Sequence, residues 1–180
     1  MNRRHLLAGV ASAGVVGGGG LLATGTVPTA LGGSSVEPVE PLTVDTIPAP
    51  GSRDGEVTIP TPGRTTFVDV FATWCAPCEE QMPALGEAAD RVDDAVQFVS
   101  VTPEAVGRSM TEAEVAEWWR DNGGDWLVAA DPTAALTSRL DVGSFPTAMA
   151  IDATGRIRWS DSGVHTADTL VEAVETAQDR

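Results

Sequence analysis

The two cysteines of the chain lie three positions apart, in the segment Trp74-Cys75-Ala76-Pro77-Cys78. The apolar run at 67–71 directly precedes this segment and predicts a buried strand, so the pair is expected at the start of a helix. The unpaired N–H groups in the first turn of a helix stabilise a thiolate. Cys75 is therefore predicted to be the exposed nucleophile. Cys78, one turn deeper, is predicted to be the resolving thiol that closes the disulfide with Cys75.

A CxxC pair can also bind a metal or form a permanent structural disulfide. A closed zinc site needs four ligands, and beyond the pair the chain offers only the histidines His5 and His165. A haem attachment site needs a histidine directly after the second cysteine, where this chain has Glu79. The pattern therefore favours thiol redox chemistry over the other two uses, and we expect no cofactor and no metal.

Two further features make the chain from about residue 42 to 177 resemble the thioredoxin superfamily. Within that superfamily it resembles the TlpA/ResA/CcmG-like group of extracytoplasmic thiol-disulfide proteins. Pro83 follows Cys78 by five residues, at the position where the active-site helices of the superfamily are kinked. The segment Gly143-Ser144-Phe145-Pro146-Thr147 is similar to the loop in which these proteins carry a cis-proline facing the disulfide. The resemblance implies a thioredoxin-like fold and protein disulfide oxidoreductase activity.

The resemblance also indicates how a substrate would be bound. A cis bond at Pro146 would turn the backbone before a strand and present the Phe145 backbone to an incoming peptide as a strand-like edge. From the residues alone, a trans proline at the start of an edge strand fits equally well. Trp74 is expected to pack over the disulfide and limit its access to solvent.

Asp69 lies in the middle of the apolar run at 67–71, where a buried strand should not carry an unpaired carboxylate. It precedes Cys75 by six residues, as the buried acid of thioredoxin does. Burial raises the pKa of a carboxyl group, so Asp69 is predicted to be a general base that takes the proton of Cys78, through water. The alternative is a solvent-facing residue on an edge strand.

The patterns along the chain predict a single α/β domain of the thioredoxin type. We expect a central mixed β-sheet flanked by helices, an N-terminal hairpin, and a strand-helix insertion like that of the TlpA group. The expected elements, in chain order, are a hairpin of 42–44 with 56–59, a strand at 67–71, a helix to about 91, a strand at 96–101, a helix from 111 to about 122, a strand at 126–129, a short helix after 132, a hairpin of 148–151 with 156–159, and a final amphipathic helix.

The N-terminal residues predict export. The segment Asn2-Arg3-Arg4-His5-Leu6-Leu7 leads into a charge-free stretch from Leu6 to Val36 and resembles a twin-arginine signal, either cleaved or kept as an N-terminal membrane anchor. The predicted organisation is a signal or anchor at 1–31, a flexible tether rich in Gly, Ser, Pro and Glu at 32–41, and the thioredoxin-like domain at 42–180. The protein is therefore expected to be extracytoplasmic.

The charge balance is strongly acidic. The chain has eleven basic side chains, all of them arginine, against 26 acidic ones, for a net charge of −15. Such a chain is not expected to bind nucleic acid. Together with the signal, the acidic and lysine-free composition predicts an exported protein of a halophile, kept soluble by carboxylates in strong brine.

These features together predict a monomeric thiol-disulfide oxidoreductase that acts on the thiols and disulfides of exported proteins or on apocytochromes. Glu79 and Glu80, directly after the cysteine pair, add negative charge near the helix start and favour a reductant. A reductant would receive its electrons from a membrane donor. The resembling group includes reductants that serve cytochrome c maturation.

Two alternatives remain open. A copper carrier could use Cys75 and Cys78 as soft ligands, joined by Met82 or Met149. A peroxide-reducing enzyme would share the fold but place its reactive cysteine in a loop supported by threonine and arginine, which is not found around Cys75.

Overall fold

The computed structural model describes residues 37–179. The predicted signal and the first part of the predicted tether lie outside these residues. Over the described range, the elements are β1 (Leu42–Thr46), β2 (Gly55–Ile59), β3 (Thr66–Val70), α1 (Ala76–Arg91), β4 (Gln97–Thr102), α2 (Glu112–Asp121), β5 (Leu127–Ala130), α3 (Ala135–Arg139), β6 (Thr147–Ile151), β7 (Ile157–Ser162) and α4 (Ala167–Gln178).

The described strands form one mixed sheet in the order β2-β1-β5-β4-β3-β6-β7. The central strands β5, β4 and β3 run parallel, while β1 and β6 pair with them antiparallel. Every residue of β3 is buried, as the apolar residues on both sides of Asp69 predict for a central strand covered on both faces. The structure confirms the thioredoxin-like fold, the N-terminal hairpin of β1 with β2, and the inserted helix and strand α2 and β5.

The alternation of side chains along β3 divides the core into two layers. Phe67 and Phe71 face one side of the sheet, where they pack with the buried residues of α1, α2 and α4. Val68 and Val70 face the other side, where they pack with Leu136 of α3 and with Leu140, the C-cap residue of that helix. The cysteine pair belongs to the first layer.

Helix α1 carries the cysteines on the face that it buries. Cys78, Met82 and Leu85 follow one another at intervals of four and three residues, and all three are buried against the first layer. A proline occupies the first turn, where a backbone N–H has no helical partner to lose. Pro83 lies inside the helix, as expected, and it removes one backbone hydrogen bond.

Helix α2 begins with the predicted capping box, in which the Thr111 side chain and the Glu114 side chain each bond the other's backbone N–H. Trp119, on its buried face, is fully enclosed, and Trp118 is half-buried with its ring stacked 5.0 Å from that of Phe71. The tryptophans of α2 therefore belong to the core, as the sequence predicts.

The segment just before β1 differs from the expectation of a flexible tether that extends to residue 41. The Val39 N–H donates to the Gly155 carbonyl at 2.8 Å, and the Arg139 guanidinium donates to the carbonyls of Glu40 and Pro41 at 2.7 and 3.0 Å. Hydropathy did not reveal this contact because the segment is held by its backbone carbonyls and N–H group. Among residues 37–179, no helix has the length and apolar character that crossing a membrane requires.

Two loop glycines, Gly51 between β1 and β2 and Gly63 between β2 and β3, are predicted to differ in their importance for stability. Gly51 and Gly63 both have a positive φ, +69° and +74°, but a Cβ at Gly51 would lie 2.0 Å from the Asp125 carbonyl carbon, while one at Gly63 meets nothing within 4 Å. We expect Gly63→Ala to lower the free energy of unfolding by about 1–2 kcal/mol through its backbone conformation alone. Gly51→Ala should lower the free energy of unfolding by about 1–3 kcal/mol more, because its Cβ would also overlap the Asp125 backbone. Urea unfolding measures both, and equal losses would contradict the close approach at Gly51.

Candidate active site

The cysteine pair lies where β3 leads into α1, at the carboxyl edge of the parallel strands. Cys75 is the N-cap residue of α1, and its sulfur accepts a hydrogen bond from the Cys78 N–H at 3.2 Å. The two sulfurs form a disulfide across Cα atoms 5.2 Å apart. Because a sulfur in this position faces the positive end of the helix and a donor N–H, the Cys75 thiolate is the form that this site stabilises.

The exposure of the two cysteines agrees with the predicted order but not with the predicted degree. Cys75 is 6% exposed and Cys78 is 2% exposed in the disulfide form. Cys75 is the more accessible of the two, yet it belongs to the buried core layer and is not an exposed side chain. The sequence could not show this because the N-cap position fixes the backbone and leaves open what covers the sulfur.

Trp74 lies at the surface beside Phe145. The side chain is 72% exposed, and its ring meets that of Phe145 edge to face, with centroids 6.0 Å apart. The backbone beside it is anchored at Thr73, whose N–H donates to the Glu104 carboxylate at 2.7 Å, and the indole projects into solvent.

Pro146 lies directly before β6, and the Phe145–Pro146 peptide bond is cis. The Pro146 carbonyl accepts a hydrogen bond from the Gly163 N–H at 2.9 Å, which joins this loop to the end of β7. Phe145 itself is half-buried and contacts both core layers. The structure thus brings Trp74 and Phe145 together beside the helix start that carries the cysteines.

Asp69 is 1% exposed and lies on the same face of β3 as Phe67 and Phe71, toward α1. One carboxylate oxygen, Oδ2, accepts a hydrogen bond from the Ser100 hydroxyl at 3.0 Å, and the other, Oδ1, has no partner within the described residues. Burial raises the pKa of Asp69 to about 7, against a smaller lowering by the Ser100 hydrogen bond. The alternative of a solvent-facing residue on an edge strand is wrong.

Glu104 is a site residue that sequence reasoning missed. Its carboxylate accepts hydrogen bonds from the Thr73 N–H and hydroxyl, at 2.7 and 3.0 Å, and from the Thr102 hydroxyl at 3.1 Å. One side chain after β4 therefore holds the loop that precedes the cysteines. No local signal points to it, because Thr73 and Glu104 are 31 residues apart.

Gln81 was also missed. This buried α1 side chain donates to the His165 carbonyl at 3.1 Å and accepts from the His165 N–H at 2.5 Å, so it binds the backbone before α4 as a neighbouring strand would. A polar residue on the buried face of a helix was the available signal. The sequence analysis assigned His165 no role, and the structure uses its backbone.

Comparison with known proteins agrees with this geometry. Residues 48–177 match the Redoxin family. The chain belongs to this family. The sporulation thiol-disulfide oxidoreductase A of Bacillus subtilis is 24% identical over 121 residues, which make up 67% of this chain and 72% of that protein. The thiol-disulfide oxidoreductase ResA of Bacillus thuringiensis is 26% identical over 109 residues, or 60% of each chain.

Solved structures show the same fold. The crystal structure of StoA from Bacillus subtilis has a TM-score of 0.62 at 22% identity and covers 75% of this redoxin and 98% of its own chain. A thiol-disulfide isomerase from Corynebacterium glutamicum has a TM-score of 0.65 at 18% identity, with coverage of 82% and 99%. The family, the fold and the oxidoreductase relatives agree with the cysteine pair, and this redoxin is a thioredoxin-like protein disulfide oxidoreductase.

The structure also bears on the copper alternative. Met82 lies on the α1 face that carries Cys78, but Met149 packs in the layer on the opposite side of the sheet. Met149 is therefore excluded as a ligand shared with the cysteines of this redoxin. In the described part of the chain, no group of three or more His, Cys, Asp or Glu side chains could hold a metal ion.

The role of Glu104 predicts a specific loss of stability. Glu104→Ala removes all three acceptor contacts, so we expect the free energy of unfolding to fall by about 2 kcal/mol and the Thr73 amide to lose protection from hydrogen exchange. Glu117→Ala, at an exposed position of α2, is the matched control and should change neither quantity. Unchanged exchange at Thr73 in Glu104→Ala would show that the loop is held by other contacts.

Burial of Asp69 predicts how stability depends on pH. Its folded-state pKa of about 7 lies above the ordinary value of 3.8, so between these values the folded protein holds a proton that the unfolded chain has released. Stability should therefore fall as pH rises from 4 to 8, by up to about 4 kcal/mol from this group. Asp69→Asn removes the titration, and its free energy of unfolding relative to the native sequence should rise across the same window.

Denaturant unfolding of the disulfide form at several pH values measures this difference. Asp45→Asn, at an exposed position of β1, is the matched control and should leave the pH dependence unchanged. A difference between Asp69→Asn and the native protein that stays constant from pH 4 to 8 would show that Asp69 ionises as an ordinary carboxyl group.

Proposed function

We propose that this redoxin is a reductant that exchanges its dithiol with disulfides of exported proteins. The observation that carries the proposal is the Cys75–Cys78 pair at the start of α1. The Cys75 sulfur accepts a hydrogen bond from the Cys78 N–H, and Cys75 is the more accessible of the two cysteines. An accessible, stabilised thiolate beside a shielded partner thiol is the arrangement that two-step disulfide exchange needs.

In the first step, the Cys75 thiolate attacks one sulfur of the substrate disulfide. The other substrate sulfur leaves as a thiolate, and a mixed disulfide with Cys75 forms. In the second step, Asp69 takes the proton of Cys78, and the Cys78 thiolate attacks the Cys75 sulfur. The mixed disulfide breaks, the second substrate sulfur leaves as a thiolate, and the protein disulfide forms, so the substrate gains the two electrons that the cysteine pair loses.

The surface next to the pair offers a docking place for the substrate chain. The exposed Trp74 ring and the Phe145 ring contact each other and present apolar area beside the helix start. Aromatic side chains supply large contact area with little conformational entropy to lose. We assign Trp74, Phe145 and Pro146 to substrate binding, with an extended substrate segment running along the Phe145–Pro146 backbone.

We assign the direction of electron flow from the charges around the pair. Glu79 lies in the first turn of α1, Glu80 is exposed beside it, and the Glu104 carboxylate bonds the backbone two residues before Cys75. Negative charge near a thiolate disfavours the dithiolate form and favours the disulfide, which lowers the reduction potential. The oxidised pair would then be reduced again by a membrane electron donor, and we include apocytochromes with oxidised cysteines among the proposed substrates.

The location we assign is outside the cytoplasm, reached by the twin-arginine route. The N-terminal signal at 1–31 either anchors the protein or is removed, and the domain acts as a monomer. The net charge of −15 without lysine supports a protein adapted to strong salt, where exposed carboxylates keep the surface hydrated.

The deciding measurement is the reduction potential of the Cys75–Cys78 couple, equilibrated against a thiol buffer in molar salt. A value near that of thioredoxin, about −270 mV, is expected for the reductant. A value near about −120 mV would reverse the assigned direction. If no intramolecular disulfide formed, the oxidoreductase function itself would be wrong.

Single-cysteine variants test the order of attack. Cys78→Ser should accumulate a mixed disulfide with an oxidised protein substrate, because the resolving thiol is missing. Cys75→Ser is the matched variant and should accumulate far less, since its remaining thiol is the less accessible one. Mass spectrometry under non-reducing conditions distinguishes the two, and equal trapping would contradict the roles assigned to the cysteines.

A further inference from the structure

A short chain of polar groups crosses the aromatic core behind the active site. The Trp126 indole N–H donates to the Ser100 hydroxyl oxygen at 3.0 Å, and that hydroxyl donates to Asp69 Oδ2 at 3.0 Å. All three side chains are buried. Asp69 and Ser100 are direct cross-strand partners of β3 and β4, and Trp126 directly precedes β5, the next strand of the sheet. The mechanism uses only the carboxyl group at the end of this chain.

We propose that Trp126 and Ser100 are positioning residues that keep Asp69 Oδ2 an acceptor, so that the proton of the neutral acid is carried on Oδ1. This inference deepens the proposed function, because it rests on Asp69 as the group that exchanges a proton with Cys78.

The donors and acceptors of the chain fix the direction of each hydrogen bond. An indole N–H can only donate, so the Ser100 oxygen must accept from Trp126. The Ser100 hydroxyl then has one hydrogen left to place, and within the described residues its other hydrogen-bond partner is Asp69 Oδ2. If Oδ2 carried the acid proton and donated to Ser100, the hydroxyl hydrogen would be buried without an acceptor, which costs about 1–3 kcal/mol.

The position of Trp126 is itself fixed. Its ring packs edge to face against Trp119 at 4.6 Å and against Phe98 at 6.0 Å. An indole held on two sides cannot turn its N–H away from Ser100 without repacking the core. The donor direction of Ser100 is therefore set by aromatic packing that lies outside the cysteine loop.

The groups that face Asp69 leave Oδ1 free for proton exchange. Ser100 faces it from β4, Ala148 pairs with it on β6, and α1 packs over the same layer with Cys78 and Met82. None of these carries a charge, and burial and the Ser100 hydrogen bond are the causes of the shifted Asp69 pKa. Once the disulfide is reduced, Cys78 is the titratable group among them, so its proton passes to Oδ1 when its thiolate forms.

The test compares the Asp69 titration in four variants of the full chain in its disulfide form, followed by carboxyl carbon NMR. Ser100→Ala removes the donor to the carboxylate, so the Asp69 midpoint should rise by about one pH unit. Trp126→Phe frees the Ser100 hydroxyl to accept the acid proton, which also stabilises the neutral form and should raise the midpoint. Ser100→Thr keeps the hydroxyl and should restore the native midpoint.

Trp118→Phe is the matched control for the tryptophan, because the Trp118 indole N–H has no hydrogen-bond partner within the described residues. Its Asp69 midpoint should equal the native one. A native midpoint in both Ser100→Ala and Trp126→Phe would overturn the proposal, and either variant alone suffices if the other fails to fold. A lowered midpoint in either would overturn it as well.

The NMR titration is independent of catalysis, so it separates this inference from the proposed function. The pH dependence of substrate release from the mixed disulfide tests the role of Asp69 as the base. Shifted titrations with an unchanged release profile would support the positioning role of Ser100 and Trp126 and contradict the general-base role. Shifts of the same size in the NMR titration and in the pH profile of substrate release would support both the positioning role and the general-base role.

Discussion

The parallel pairing of β3 with β4 is the contact on which the geometry of the active site depends. The ladder continues past the end of β3, where the Phe71 N–H bonds the Val101 carbonyl at 3.1 Å, so the chain is held in place almost up to the cysteines. Strand β4 also supplies Ser100, which bonds Asp69. Just beyond the end of β4, Glu104 bonds the loop at Thr73. A shift of β4 by one residue would move all three contacts at once, because it would turn each side chain to the other face.

The two layers of the core differ in composition. The layer under α1 contains the buried aromatic residues of the core, and their rings pack against one another from Phe67 through Phe98 and Trp126 to Trp119. The buried residues of the opposite layer are aliphatic apart from Met149, and they include Leu136 of α3. Rigid aromatic packing suits the side that must hold a buried carboxyl group in one orientation, and the polar groups there are few and directional.

The features that depend on residues close together in the sequence were predictable. Apolar periodicity located the strands and helices, the CxxC spacing identified the reactive pair, and the unbroken apolar run around Asp69 correctly indicated burial. Contacts between distant parts of the chain were not predictable in this way. Glu104 acts on a residue 31 positions away, and Gln81 on one 84 positions away. The exposure of Trp74 was not predictable either, because a residue before an N-cap can point inward or outward with the same local pattern.

Because the chain has no lysine and no tyrosine, few side chains compete with the buried Asp69 carboxyl group in a proton titration. Those two side chains ordinarily release their protons near pH 10, and this chain has neither, while its arginines keep their charge throughout. An uptake or release of protons in mildly alkaline solution therefore has few sources other than the two thiols and Asp69. The redox state of the cysteine pair is thus coupled to a small proton inventory that can be counted directly, as base consumed per disulfide reduced, against almost no background.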